Sequence, residues 1–305
     1  MKIVSLLPSA TEIVYALGLE SELVGVTHEC DYPPAASAKP HVSNTSLALD
    51  EDASPAEIDG LVSDKVAAAE PLYTLDEGLI RELQPDLILA QDLCRVCAVP
   101  SGQVTEALKL LGCSAQVISL DPNTVEDVID GIVTVGAASG ERKGAEDLAR
   151  SLRLRVGAVA ERGSTLPAPS VFAMEWSDPP FAGGHWIPEM VRLAGGNDCF
   201  GVEGRPSRRL AWGAVQEAAP EVVVYMPCGF GLAEAAEQAR SLFAIPEFRS
   251  TPAAREGRVF AVDASSYFSR PGPRICDGLE VLAWTLHPGA FPEPPGGRVA
   301  RVAPL

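Results

Sequence analysis

With 305 residues, 47% apolar and 21% charged, the chain is long enough for two packed domains and has the balance of an ordinary globular protein. Its formal net charge of −17 argues against nucleic acid or an anionic membrane surface as partner, since both are polyanions. No apolar run reaches the roughly 18 residues that a membrane span requires.

Ile3 to Leu7 reads as a buried strand, followed by a turn through Pro8 and a helix from Glu12 to Leu17 that stops at Gly18. Ser9 and Thr11 can cap that helix and leave its first amides for an anionic group. Leu23 to Val26 is a second strand, with His28, Glu29, Cys30, Asp31 and Tyr32 at its exit. Residues 35–55 read as polar, proline-punctuated loop, and Ser54, Pro55 and Glu57 open the next helix. A short helix spans Glu77 to Leu83. Pro85 then leads into Leu87 to Ala90, an apolar run too short for a helix, whose polar tip carries Gln91, Asp92, Cys94 and Cys97. A helix over 103–111 and a strand over 116–120 follow.

Thr124 with Asp127 starts a helical stretch interrupted at Gly136 and Gly140. It resumes from Glu141 to about Arg162, with Leu148, Leu152, Val156 and Val159 on one stripe. About twenty residues at 1.5 Å each give roughly 30 Å, a length that can bridge two lobes. Three more strands end in polar or aromatic tips: Val171 to Met174 before Glu175 and Trp176, Val222 to Tyr225 before Cys228 and Phe230, and Val259 to Val262 before Tyr267, Phe268 and Arg270. Helices at 187–193, 233–242 and 275–286 separate them, and after Pro288 the Pro/Gly-rich tail reads as loosely packed. Alternating strands and helices predict an α/β fold with parallel sheets in both halves. The divisions are an N-terminal lobe over 1–123, a helical segment over 124–166, a C-terminal lobe over 167–288 and a tail over 289–305.

The run Ser5 to Glu12, the strand after Pro85-Asp86, the long middle helix and Gly257 to Asp263 resemble the cobalamin-type solute-binding proteins of ABC importers. The likeness covers about residues 1–287. It implies two Rossmann-like α/β lobes joined by one long rigid helix and a ligand held between the lobe rims, with cobalamin, a ferric siderophore, haem or a metal as candidate, and an ABC permease as partner. The segments around Cys30, Cys94, His185, Cys228 and Tyr267 to Pro273 look like a mostly non-secreted subgroup labelled cobalamin-binding. Met1 and Lys2 run straight into the first strand with no apolar leader, so the expected address is cytoplasmic, or periplasmic if the chain is a trimmed piece.

The chain has seven cysteines, an odd number. Cys30, Cys94, Cys97 and Cys228 all follow predicted strands, whose exits share a rim in a parallel sheet. Four thiolates there can bind Zn²⁺ tetrahedrally or hold an iron–sulfur cluster; equally, small cysteines simply line turns. His28 and His185 offer neutral imidazoles of the kind that bind corrinoid cobalt or haem iron, or are hydrogen-bonded surface residues. Tyr32, Trp176, Phe181, Trp186, Phe230, Tyr267 and Phe268 fall in rim loops, where flat rings suit a corrin or porphyrin. Arg270 and Arg274 can engage propionate, amide or phosphate groups or pair with a nearby acid. The rim acids Glu175, Glu29, Asp31 and Asp92 can accept ligand amide hydrogens, coordinate a metal or, as the resemblance implies, dock a permease, and Gln91 belongs to the same rim as a candidate ligand-binding residue. A thiol-dependent enzyme with Cys94 or Cys228 as nucleophile and His28 or His185 as base stays open as an alternative.

Overall fold

The computed structural model describes residues 1–48, 53–68, 70–92, 102–104, 107–108 and 114–304. Its contacts divide the chain into two compact units, the first comprising residues 1–122 with 127–150, the second 123–126 with 151–305. The helix Arg142–Gly163 belongs to both, residues 142–150 counting with the first unit and 151–163 with the second. At 1.5 Å per residue it is roughly 33 Å long.

In the first unit, β1 (Ile3–Ser5), β2 (Leu23–Thr27), β3 (His41–Thr45), β4 (Tyr73–Leu75), β5 (Leu87–Ala90) and β6 (Gln116–Ser119) form a sheet in the order β4-β3-β2-β1-β5-β6. All pairings are parallel except β3 with β4, which is antiparallel. The central strands are largely apolar and buried, as parallel strands covered on both faces are. Val4, Val42, Ile80, Ile88 and Ala90 form one core cluster there.

Two local expectations change. β3 lies within the stretch read as loop, because its polar residues Ser43, Asn44 and Thr45 mask a strand held by β2 and β4. The first helix runs Pro8–Ala16, with Leu7 at its N-cap and no side-chain cap. Ser9 and Thr11 therefore lie inside its first turns and do not cap it; proline is favourable at the first position because it has no N–H to leave unpaired.

In the second unit, β7 (Ser170–Ser177), β8 (Pro180–Ala182), β10 (Arg208–Arg209), β11 (Val222–Tyr225), β12 (Val259–Val262) and β13 (Val299–Arg301) run in the order β10-β8-β7-β11-β12-β13, and β9 (Asn197–Asp198) also pairs β7. β7, β11 and β12 are mutually parallel, flanked by antiparallel β8, β10 and β13. The lobe is thus mixed at its edges. The tail is not loose: β13 extends the sheet, and Val302 enters the core beside Val259 and Ala261.

Candidate functional site

In the second unit, the C-terminal ends of β7, β11 and β12 lie side by side, the edge where parallel sheets build binding sites. Backbone bonds stitch their exit loops together. Met226 N–H donates to Met174 O at 2.8 Å, Cys228 N–H to Glu175 O at 3.4 Å, and Ser265 N–H to Phe230 O at 3.1 Å. Two rings meet there, Trp176 and Phe230, with centroids 5.9 Å apart and planes tilted by 46°. Both are only partly buried. Tyr267 carries two guanidinium contacts, Arg298 at 4.8 Å and Arg274 at 5.5 Å from its ring centroid. Such contacts fix an aromatic face by attraction between cation and ring quadrupole. Arg270 is half-buried in the same loop, its carbonyl accepting from Gly272 N–H at 2.9 Å.

The loop 183–186 brings His185 into the same unit. Its φ is +52°, in the left-handed region that a non-glycine residue seldom adopts. The conformation is held from both sides: His185 N–H donates to Arg205 O at 2.6 Å, and Gly204 N–H donates to His185 O at 3.0 Å. Gly184 allows that close approach, since a Cβ there would stand 2.2 Å from the Ser207 nitrogen. The Glu175 carboxylate fastens the loop again, accepting from Gly184 N–H at 3.2 Å and from the Ser207 hydroxyl. Glu175 is therefore engaged in shaping this loop. The His185 ring is half-buried, its centroid 6.0 Å from that of Trp186, and Nδ1 lies 3.3 Å from Asn123 Oδ1. Burial pushes its pKa below the ordinary imidazole value, so the neutral ring, which is the ligand form, is favoured.

Trp186 and Phe268 sit deeper than the flat loop surfaces expected of them. They are 6% and 1% exposed, and the Trp186 Nε1–H donates to the Phe268 carbonyl at 2.9 Å. A ring with so little exposed surface has little face to offer a ligand, and this pair ties the 183–186 loop to the 263–270 loop.

In the first unit, Tyr32 is 44% exposed, and His28 is half-buried with its ring 6.3 Å from Tyr73 and its Nδ1 3.3 Å from Thr27 Oγ1. Gln91 is buried and donates to Leu120 O at 3.0 Å, which ties the exit of β5 to that of β6. Asp92 makes the same link: its N–H donates to Asp121 Oδ1 at 2.6 Å and its carboxylate accepts from Ser119 at 3.1 Å. Ser9 and Thr11 are buried.

The four-thiol centre finds no support. Cys30 is buried in the first unit with its Sγ 3.0 Å from Thr11 Oγ1, and Cys228 is exposed in the second. Cys94 and Cys97 lie outside the described residues. Among the described residues, no group of three His, Cys, Asp or Glu side chains is placed to hold a metal ion. Sequence reasoning missed Asn123 and Ser207, whose neighbours advertise only a helix start and a turn; their roles come from partners distant in the chain.

Comparison with known proteins gives the same architecture. The family model described as periplasmic binding protein matches residues 3–265. An uncharacterized ABC transporter substrate-binding lipoprotein of Bacillus subtilis is 25% identical over 298 residues, 96% of this chain and 82% of that one. The vitamin B12-binding protein of Vibrio vulnificus is 25% identical over 285 residues, 92% of this chain and 88% of that one. Among solved structures, the apo periplasmic heme-binding protein from Roseiflexus sp. RS-1 has a TM-score of 0.71 at 22% identity, covering 95% of this chain and 98% of that one. The periplasmic vitamin B12 binding protein of Vibrio cholerae has a TM-score of 0.65 at 23% identity, covering 93% and 96%. These structural likenesses show the fold alone. The expected cytoplasmic address is overturned: the matching model is of periplasmic proteins, and a relative aligned over nearly the whole chain is a lipoprotein. Among the described residues, no helix is long and apolar enough to cross a membrane.

Proposed function

Since the chain belongs to the periplasmic binding protein family, whose members bind solutes and are not enzymes, we propose that it binds a metal-bearing tetrapyrrole of the cobalamin class and hands it to an ABC importer's permease. What carries the reading is the cluster at the strand ends of the second unit. There the Trp176 and Phe230 rings, Tyr267 between Arg274 and Arg298, and a half-buried imidazole at His185 all belong to loops bonded to one another. Partly exposed rings offer flat apolar surface to a macrocycle, guanidiniums suit its acidic or amide substituents, and an imidazole suits its metal. Tyr32, His28 and Asp92 in the first unit, with Arg270 and Cys228 in the second, are the accessible remainder of the candidate set. That several curated relatives are named vitamin B12-binding proteins supports trying corrinoids first.

Haem is the second reading, favoured by the same imidazole and by the arginines, which suit propionates. Titration of purified protein with cyanocobalamin, aquacobalamin and hemin, followed by absorbance and by thermal midpoint, separates the two. A saturable cobalamin complex is expected, with stabilisation of about 2.7 kcal/mol when free ligand stands at 100 times Kd. Binding of hemin with no response to either cobalamin would replace the corrinoid reading by haem. Indifference to all three would dismiss the tetrapyrrole altogether.

A further inference from the structure

One polar contact beside His185 has chemical consequences beyond its loop. Asn123 Oδ1 lies 3.3 Å from His185 Nδ1. The Asn123 amide stands with its oxygen toward the ring, and an oxygen only accepts, so in this orientation Nδ1 is the donor of the pair. In a neutral imidazole one nitrogen carries the proton and the other the lone pair, so Nε2 is left as the lone-pair nitrogen. A free histidine side chain has the opposite preference, with the proton on Nε2.

The partner is itself held in place. Two residues after Asn123, the Val125 N–H donates to Glu189 Oε2 at 2.7 Å, and Glu189 stands four residues after His185. Asn123 to His185 and Val125 to Glu189 are therefore two rungs between the same pair of segments. Both segments belong to the second unit. The backbone of His185 is fixed independently by its bonds to Arg205 and Gly204. The backbones that carry the ring and its acceptor are therefore both tied within this unit.

We propose that Asn123 is a positioning residue for His185, holding the imidazole as the Nδ1–H tautomer so that Nε2 presents its lone pair to the metal ion of the bound tetrapyrrole. A hydrogen-bond acceptor behind a metal-binding imidazole fixes its tautomer and raises its basicity, and loss of such a partner typically costs about 10–100-fold in metal affinity. The metal role of His185 rests on the ligand reading above; the tautomer does not.

The test has two arms. Long-range ¹H–¹⁵N correlation spectra of the ligand-free protein report which ring nitrogen is protonated, with the His185→Gln variant assigning the resonances among the four histidines. The wild type is expected to show His185 protonated at Nδ1, and Asn123→Ala to shift it towards Nε2–H. A wild-type His185 protonated at Nε2 overturns the inference whatever the ligand proves to be. In the second arm, diaquacobinamide and hemin are titrated into the wild type, Asn123→Ala, Asn123→Asp and His185→Ala. The wild type is expected to give the absorption bands of an imidazole-bound metal, and His185→Ala to lose them. Asn123→Ala should bind at least about tenfold more weakly with mixed bands, and Asn123→Asp, which keeps the acceptor, should restore them. Unchanged bands and affinity in Asn123→Ala overturn the positioning role while the ligand reading survives. Absence of imidazole-bound bands from the wild type with both probes, with the Nδ1–H tautomer intact, overturns the metal role, while the cobalamin titration above decides the ligand reading separately.

Discussion

At the scale of single residues, burial decides which chemistry each side chain keeps. Cys276, whose place in an amphipathic helix reads as structural, shows this for a thiol. It is buried on the inner face of the helix Ile275–Leu286, donates weakly to Leu152 O at 3.7 Å, and is pushed up to about 12 by burial. Its ordinary value is 9.0, so between pH 9 and 12 the folded chain retains a proton that the unfolded chain releases. The stability contributed below pH 9 is therefore lost as pH rises through that interval. Urea midpoints measured from pH 8 to 11 should fall in the wild type and fall less steeply in Cys276→Ala. Parallel curves for the two proteins would show that the buried thiol does not drive the loss. Cys30 is likewise a buried thiol, 1% exposed with its Sγ against the Thr11 hydroxyl.

At the scale of elements, close approach explains what periodicity misreads. Gly136 reads in the sequence as a break, yet it lies within the continuous helix Val125–Ser139. The next helix passes so near that a Cβ at position 136 would stand 2.2 Å from the Ala145 Cβ. Glycine there admits a neighbour, and the turn between the helices falls at Gly140, whose φ is +85°. Gly136→Ala should cost about 1–3 kcal/mol through overpacking. Gly131→Ala in the same helix, where a Cβ meets only Leu120 Cδ2 at 3.8 Å, should be neutral or gain up to about 1 kcal/mol from helix propensity. Chemical denaturation of the pair checks this; equal effects would mean that propensity and not packing governs position 136. Short strands tell a related story. β13 and β3 are short and partly polar, and each exists because a neighbouring strand offers unpaired backbone groups.

At the scale of the whole molecule, 41 acidic residues against 24 basic ones leave a net charge of −17. Several guanidiniums are already committed to ion pairs, as Arg155 is to Asp277 and Glu280 at 2.6 and 2.9 Å. The surplus of carboxylates repels itself in the compact state. Raising salt from about 0.01 to about 0.15 M shortens the screening length from about 30 to about 8 Å. The thermal midpoint should rise over that range. A midpoint that stays level or falls would mean that ion-pair attraction outweighs the general repulsion.

The apolar runs of the sequence determined the strands and helices that carry the fold. Leu87–Ala90, Val222–Tyr225, Val259–Val262 and the helices Glu77–Leu83, Ile187–Leu193 and Ile275–Leu286 occur where their patterns predict. Burial of apolar surface is a local demand, and it leaves its period in the chain. The strand-end residues Glu175, Trp176, Phe230 and Tyr267 were legible as candidates because a parallel sheet gathers its strand exits on one edge, and His185 because it stands in a glycine-flanked loop beside Trp186. Only the tertiary structure decided what each of them touches. That Glu175 fastens the His185 loop, that Trp186 and Phe268 are buried together, and that Asn123 meets an imidazole 62 positions away are contacts between distant segments. Hydrogen bonds and close packing depend on distances of a few ångströms, which the order of residues along a chain does not encode until the backbone has folded.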